Sequence, residues 1–145
     1  MTRISAGIKA KQLSDIHLRK ERIEILRVPN KVKQNKYSPK TIPPLEFKLS
    51  SGHEVYFKNK LKYIHHRYNE LTDECIKRGF NVTDYSDAFK DLPKHLYNDW
   101  DDNIPKVKEI VSERITERLL GMKTKDLKYY GEQKTAEELI EILNS

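Results

Sequence analysis

Thr2, His17, Glu24 and Arg27 are the residues near the amino terminus whose types could do chemistry together. If Met1 is removed, Thr2 presents an α-amine with an ordinary pKa near ~8, well below that of a lysine side chain. Such an amine is partly neutral at cellular pH and can attack a sugar carbon or a carbonyl to form an imine. A carboxylate close by, here Glu24, could then move the protons that an elimination needs. The pattern suggests a lyase that uses its own amino terminus as nucleophile. The residues alone leave simpler roles open. A small second residue permits Met1 removal whatever its function, and a carboxylate flanked by cations on a helix is often only an ion pair.

The elements that must position these groups are read from capping and periodicity. Ser14 and Asp15 cap a helix expected to run to about Val28, where Pro29-Asn30 stops it. At 100° per residue, Ile16, Ile23 and Leu26 share one side and Leu18 and Ile25 the other, so the helix is expected to be sandwiched. A polar stripe of Arg27, Lys20, Glu24, His17 and Glu21 lies between them. Residues 29–58, rich in lysine and broken by Pro29, Pro39, Pro43 and Pro44, read as loop. A second helix is expected from about Asn59 to Arg78, with Leu61, Ile64, Tyr68, Leu71 and Cys75 as its core face and Gly79 as its stop. Residues 80–103 read as loop with aromatics at Phe89, Tyr97 and Trp100. Asn103 and Pro105 begin a third helix, on which Arg114 and Arg118 share an exposed face before Gly121. Thr135 and Glu138 form a capping-box pattern ahead of a short terminal helix. No strand pair stands out. The expected fold is mainly α, a compact single domain of three main helices with long loops plus a short C-terminal helix.

Composition narrows the partners. The chain of 145 residues carries a net charge of +6, and its distribution is uneven. Residues 1–50 hold twelve Lys/Arg against four Asp/Glu, so the remainder is slightly acidic. A basic surface in one third of a small domain favours a polyanion, with nucleic acid ahead of membrane lipid. Cys75 is the one cysteine, which excludes a disulfide framework within the chain. His17, His53, His65, His66 and His95 show no metal-ligand spacing, so no metal is expected. With no apolar run of spanning length and no signal-peptide pattern, a soluble cytoplasmic protein is expected.

Beyond these readings, the order of several short motifs resembles a known family. They are Met1-Thr2-Arg3-Ile4, Asp15-x-His17-Leu18, Glu24-x-x-Arg27-Val28, Gly52-His53-x-Val55-x-Phe57 and Lys60-Leu61. The longest is Glu74-Cys75-x-Lys77-Arg78-Gly79-Phe80-Asn81-Val82-x-Asp84, followed by Asp91-x-Pro93, Ile104-Pro105 and Lys128-Tyr129-Tyr130-Gly131. Together they resemble the phage-type endonuclease V family, pyrimidine-dimer DNA glycosylases with AP-lyase activity. The resemblance covers residues 1–131, leaving 132–145 as a C-terminal helical extension.

The resemblance implies a compact helical monomer, without metal or cofactor, acting on double-stranded DNA at ultraviolet-induced cyclobutane pyrimidine dimers. It implies glycosidic cleavage followed by a strand nick through β-elimination. Thr2 matches the family's nucleophile and Glu24 its catalytic carboxylate. Arg3 and Arg27 match basic residues near the lesion phosphates, and Arg114 and Arg118 a backbone-contacting pair; His17 falls in the same matching stretch. A non-catalytic DNA-binding module of this fold, or a lyase for other base lesions, are the alternatives. Ile23 stands where the best-known pattern has an arginine, for which Arg22 or Lys20 is the candidate substitute. Asp126-Leu127 likewise stands where a tryptophan and an aromatic neighbour are expected.

Overall fold

The first helix starts at its expected cap but ends early. In the computed structural model, which describes residues 4–37 and 42–145, α1 spans Asp15–Glu24 with Ser14 as its cap. The chain then breaks at Ile25-Leu26 and re-enters helix as α2, Arg27–Lys33, with Pro29 inside it. Pro29 explains the break. In a continuous helix its ring would clash with the carbonyl four residues back, that of Ile25, and it has no N–H to donate. After the break, Pro29 sits in the first turn of α2, where an amide has no helical partner anyway. The tight bonds Leu26 N–H to Ile23 O and Val28 N–H to Ile25 O, both 3.3 Å, carry the chain through the corner.

The stretch expected to be loop therefore holds α2 and also a short helix, α3, His53–Tyr56. The longer α4, Leu61–Lys77, follows as expected, with Leu61, Ile64, Tyr68, Leu71 and Cys75 all buried. Burial pushes the Cys75 thiol above its ordinary value, as suits a small core residue. Gly79 ends the helix at φ +85°, and two bonds close it: Gly79 N–H to Ile76 O at 2.9 Å and Phe80 N–H to Cys75 O at 3.0 Å.

The segment 80–103 contains two single 3-10 turns, Ser86–Phe89 and Lys94–Leu96, and its aromatics separate. Phe89 stacks on His65, whereas Trp100 packs among Phe47, Tyr56, Phe57 and Tyr63. Pro105 opens α5, Pro105–Gly121, after Ile104 rather than Asn103 as the cap. A two-residue hairpin then appears where no strand pair was expected: β1, Lys128–Tyr129, pairs antiparallel with β2, Glu132–Gln133. Each strand is too short to leave a periodic pattern.

The terminal helix α6, Ala136–Leu143, has the expected reciprocal cap between Thr135 and Glu138. It packs on α5 and places Leu139 and Leu143 in the common core. Gln12 fastens it from the other end of the chain, donating to the carbonyls of Leu143 and Ser145. The architecture is thus mainly α: α1 against α4, α5 against α6, and one core beneath all of them.

Candidate active site

The residues from Ile4 to Leu13 form an arm with one 3-10 turn, Ala10–Gln12, so side chains must satisfy much of its buried backbone. His53 Nε2 accepts the Ile4 N–H at 2.8 Å. Asp102 accepts the Gly7 N–H, and Glu70 the Ala10 N–H. Arg67 reaches the carbonyls of Ser5 and Ile8 while holding Glu21. Burial opposes the Arg67 charge, but the Glu21 carboxylate beside it outweighs that cost and holds the guanidinium above its ordinary value. Thr2 and Arg3 lie outside the described residues, two and one positions before the anchored Ile4.

This anchoring reverses part of the expected amphipathicity of α1. Glu21 is buried against Arg67, and Arg22 is buried with donors to Tyr68, Thr72 and Thr83. Ile23, expected to pack inside, is instead 51% exposed. Once two charged residues have found buried partners on α4, the helix is rotated and Ile23 faces outward. Arg22 therefore does not substitute for the arginine that Ile23 replaces; its guanidinium is committed to the interior. Lys20 remains exposed.

Glu24 is half-buried at the end of α1 and lines two clefts. The smaller, about 200 Å³, brings it together with His17, Lys20, Arg118 and Ser5 of the arm. The larger, about 820 Å³, runs past Arg27 and has an apolar floor of Ile16, Ile23 and Phe80. Arg19, Lys20, Lys125 and Lys128 add positive charge to its edge, and Arg19 lies 4.7 Å from the Phe80 ring. A cationic rim around an apolar floor suits a polymer of phosphates and flat uncharged rings.

The far wall of the larger cleft is the hairpin. Tyr130 and Gly131 occupy its turn at φ +53° and +78°, both left-handed. A two-residue hairpin turn of this kind requires positive φ at both positions, which is strained for tyrosine. Asp15 offsets the strain by accepting both turn amides, at 3.0 and 2.8 Å. Arg78 lies beside both tyrosine rings, 4.7 Å from each, and is paired with Asp15 and Glu74. Tyr129 donates to Lys11 O and Tyr130 to Glu74. Both tyrosines are thus engaged within the fold, where they hold the wall that carries Lys128.

Of the residues singled out in the sequence, Glu24, His17 and Arg118 come together, and Arg27 joins Glu24 along the larger cleft. Arg114 lines neither cleft; its guanidinium lies 3.8 Å from Glu117. Lys125 and Lys128 are not legible as site residues, because only the docking of the hairpin on Asp15 and the turn after α5 bring them across to α1. Among the described residues, no three His, Cys, Asp or Glu side chains stand together to hold a metal ion, and no helix is long and apolar enough to cross a membrane. In comparison with known families, residues 1–87 match the model described as pyrimidine dimer DNA glycosylase. The match covers the arm, α1 to α4 and Phe80, and so most of the side chains around Glu24.

Proposed function

The chain belongs to the pyrimidine dimer DNA glycosylase family, and from that premise we propose that it excises at cyclobutane pyrimidine dimers in duplex DNA and then nicks the strand as an AP lyase. The amine of Thr2, freed by loss of Met1, attacks C1′ of the 5′ pyrimidine nucleotide. The new C–N bond forms as the glycosidic bond breaks, and the bonding pair leaves with the base. Loss of a proton and opening of the sugar give a protonated imine. This imine is the electron sink for removal of a C2′ proton, after which the 3′ phosphate departs and water releases the enzyme. The imine supplies what a metal or cofactor would otherwise provide, so none is required.

Glu24 serves two needs in this scheme. Its carboxylate stabilises the positive charge that grows on the sugar as the base leaves. It then acts as the base, or relays the proton, for the elimination. Arg3, Arg27 and Arg118 hold phosphates, Arg114 adds positive charge at the margin of the same path, His17 stands at the edge of the smaller cleft, and the enzyme acts as a soluble cytoplasmic monomer. Residues 1–131 form the family-like unit, with 132–145 as an added brace.

The observation that carries this reading is the convergence of Glu24 and Ser5 on one small cleft, because Ser5 is only three residues from the proposed nucleophile. Borohydride trapping on a duplex with a single thymine dimer tests it, using protein with Met1 removed. An adduct mapped to the Thr2 amine and absent on undamaged DNA is expected. Glu24→Gln should bind as tightly yet cleave at least about 100-fold more slowly, within the usual range for loss of an acid–base group. Salt-sensitive binding with no adduct and no nick would instead make the protein a non-catalytic module.

A further inference from the structure

We infer that His53 is a positioning residue that fixes where the amino-terminal amine stands; this rests on the Thr2 reading above. The Ile4 amide can only donate, so His53 Nε2, 2.8 Å away, must accept. The Lys48 carbonyl can only accept, so Nδ1, also at 2.8 Å, must carry the proton. The two bonds define a neutral ring in one tautomer. The imidazole is 2% exposed and meets Phe47 and Phe57 edge to face at 5.4 and 5.5 Å, which leaves it little freedom to turn.

The turn in front of His53 is built for this placement. Gly52 adopts φ +96°, and a side chain there would also meet Lys48 Cε at 2.8 Å and Pro44 Cγ at 3.2 Å. His53 therefore leaves the turn at the start of α3 with its ring aimed at the arm. Arg67 and Asp102 hold Ser5, Gly7 and Ile8, whereas the His53 bond holds the more terminal Ile4. Covalent geometry allows the Thr2 nitrogen no more than about 7 Å from the anchored Ile4 nitrogen. A nucleophile on a chain end gains its effective concentration from such an anchor, and a displacement of about 1 Å can lower the rate on the order of 100-fold.

The test compares Met1-processed wild type, His53→Leu and His53→Gln on the thymine-dimer duplex, measuring dissociation constant, single-turnover cleavage and borohydride trapping. Leucine removes both bonds, whereas the glutamine amide offers an acceptor and a donor. We expect His53→Leu to lose about 10- to 100-fold in cleavage and trapping with a dissociation constant within about twofold, and His53→Gln to regain most of the loss. Cleavage by His53→Leu within about twofold of wild type, or no advantage of Gln over Leu, overturns the proposal. If His53→Leu does not fold, nitrogen NMR of the wild-type ring decides: a protonated Nδ1 with a bare Nε2 supports the anchor, and a protonated Nε2 overturns it. Failure of the underlying reading looks different. There the wild type itself gives no adduct at Thr2, and the role of His53 falls with it.

Discussion

Arg67 donates to Glu21 at 2.7 Å while its remaining nitrogens reach the carbonyls of Ser5 and Ile8. Both side chains are at most 3% exposed, so a single ion pair in the core fixes α1, α4 and the arm to one another. Glu24, one turn further along α1, depends on that placement.

Removing the carboxylate of this pair leaves the buried Arg67 with two carbonyls and the more exposed Glu70, 3.2 Å away, as its partners. Glu21→Ala should therefore cost about 3 kcal/mol of stability, the lower end for breaking a buried pair from one side, because Glu70 still faces the cation. Glu24→Gln, half-buried beside open clefts, should stay within about 0.5 kcal/mol of wild type. Urea unfolding of the two variants separates a residue that builds the site from one that works in it. Equal losses would refute the distinction.

Arg118 faces the cleft that holds Glu24, while Arg114 lies one turn back near Glu117. Arg118→Ala should lower the slope of log binding constant against log salt by about 1, the signature of one lost phosphate contact. Arg114→Ala should change it by clearly less. Titrations at several salt concentrations settle the order, and an equal or larger change for Arg114 would move the DNA path along α5.

Tyr63 donates to Asp102, which also accepts the Gly7 amide. Burial raises the Tyr63 phenol well above its ordinary 10.0; Arg67 opposes this and Asp102 adds to it. The folded state thus keeps a proton that the unfolded chain releases above about pH 10. The stability tied to this proton is fully present below about pH 10 and falls as the pH rises beyond it. Tyr63→Phe should lose about 1 kcal/mol near neutrality, from the missing hydrogen bond, and show a shallower alkaline decline. Denaturant midpoints at about pH 9 and about pH 11 measure both effects, and an unchanged alkaline slope would count against the assignment. Tyr37, also raised by burial and by Glu54, remains to give the variant a residual slope.

Several elements were legible because their signals are local. The face of α4 from Leu61 to Cys75, the stop at Gly79, and the Thr135–Glu138 cap depend on residues within a turn or two of one another. The family motifs and the excess of positive charge near the amino terminus are likewise properties of the chain alone. His53 is likewise marked in the chain by its place in the Gly52-His53 motif, although its burial is seen only in the fold.

Other features required the folded molecule. Hydrophobic periodicity treats every charge as solvent-facing, so it could not foresee that Glu21 and Arg22 would turn inward and leave Ile23 outside. Their partners, Arg67, Tyr68 and Thr72, lie some fifty residues away. In the sequence Pro29 reads as a helix stop, yet it marks the corner at which a second helix begins, because proline is costly inside a helix and harmless in its first turn. Asp15 reads as a first-turn residue of α1, but only tertiary contact makes it the acceptor that holds Tyr130 and Gly131. Local spacing thus determined α4, α5, α6 and the start of α1, composition determined the charge, and the motifs determined the candidate chemistry. The buried long-range pairs decided which groups face the cleft and how the amino-terminal arm is held, because desolvated charges gain their partners only when distant segments meet.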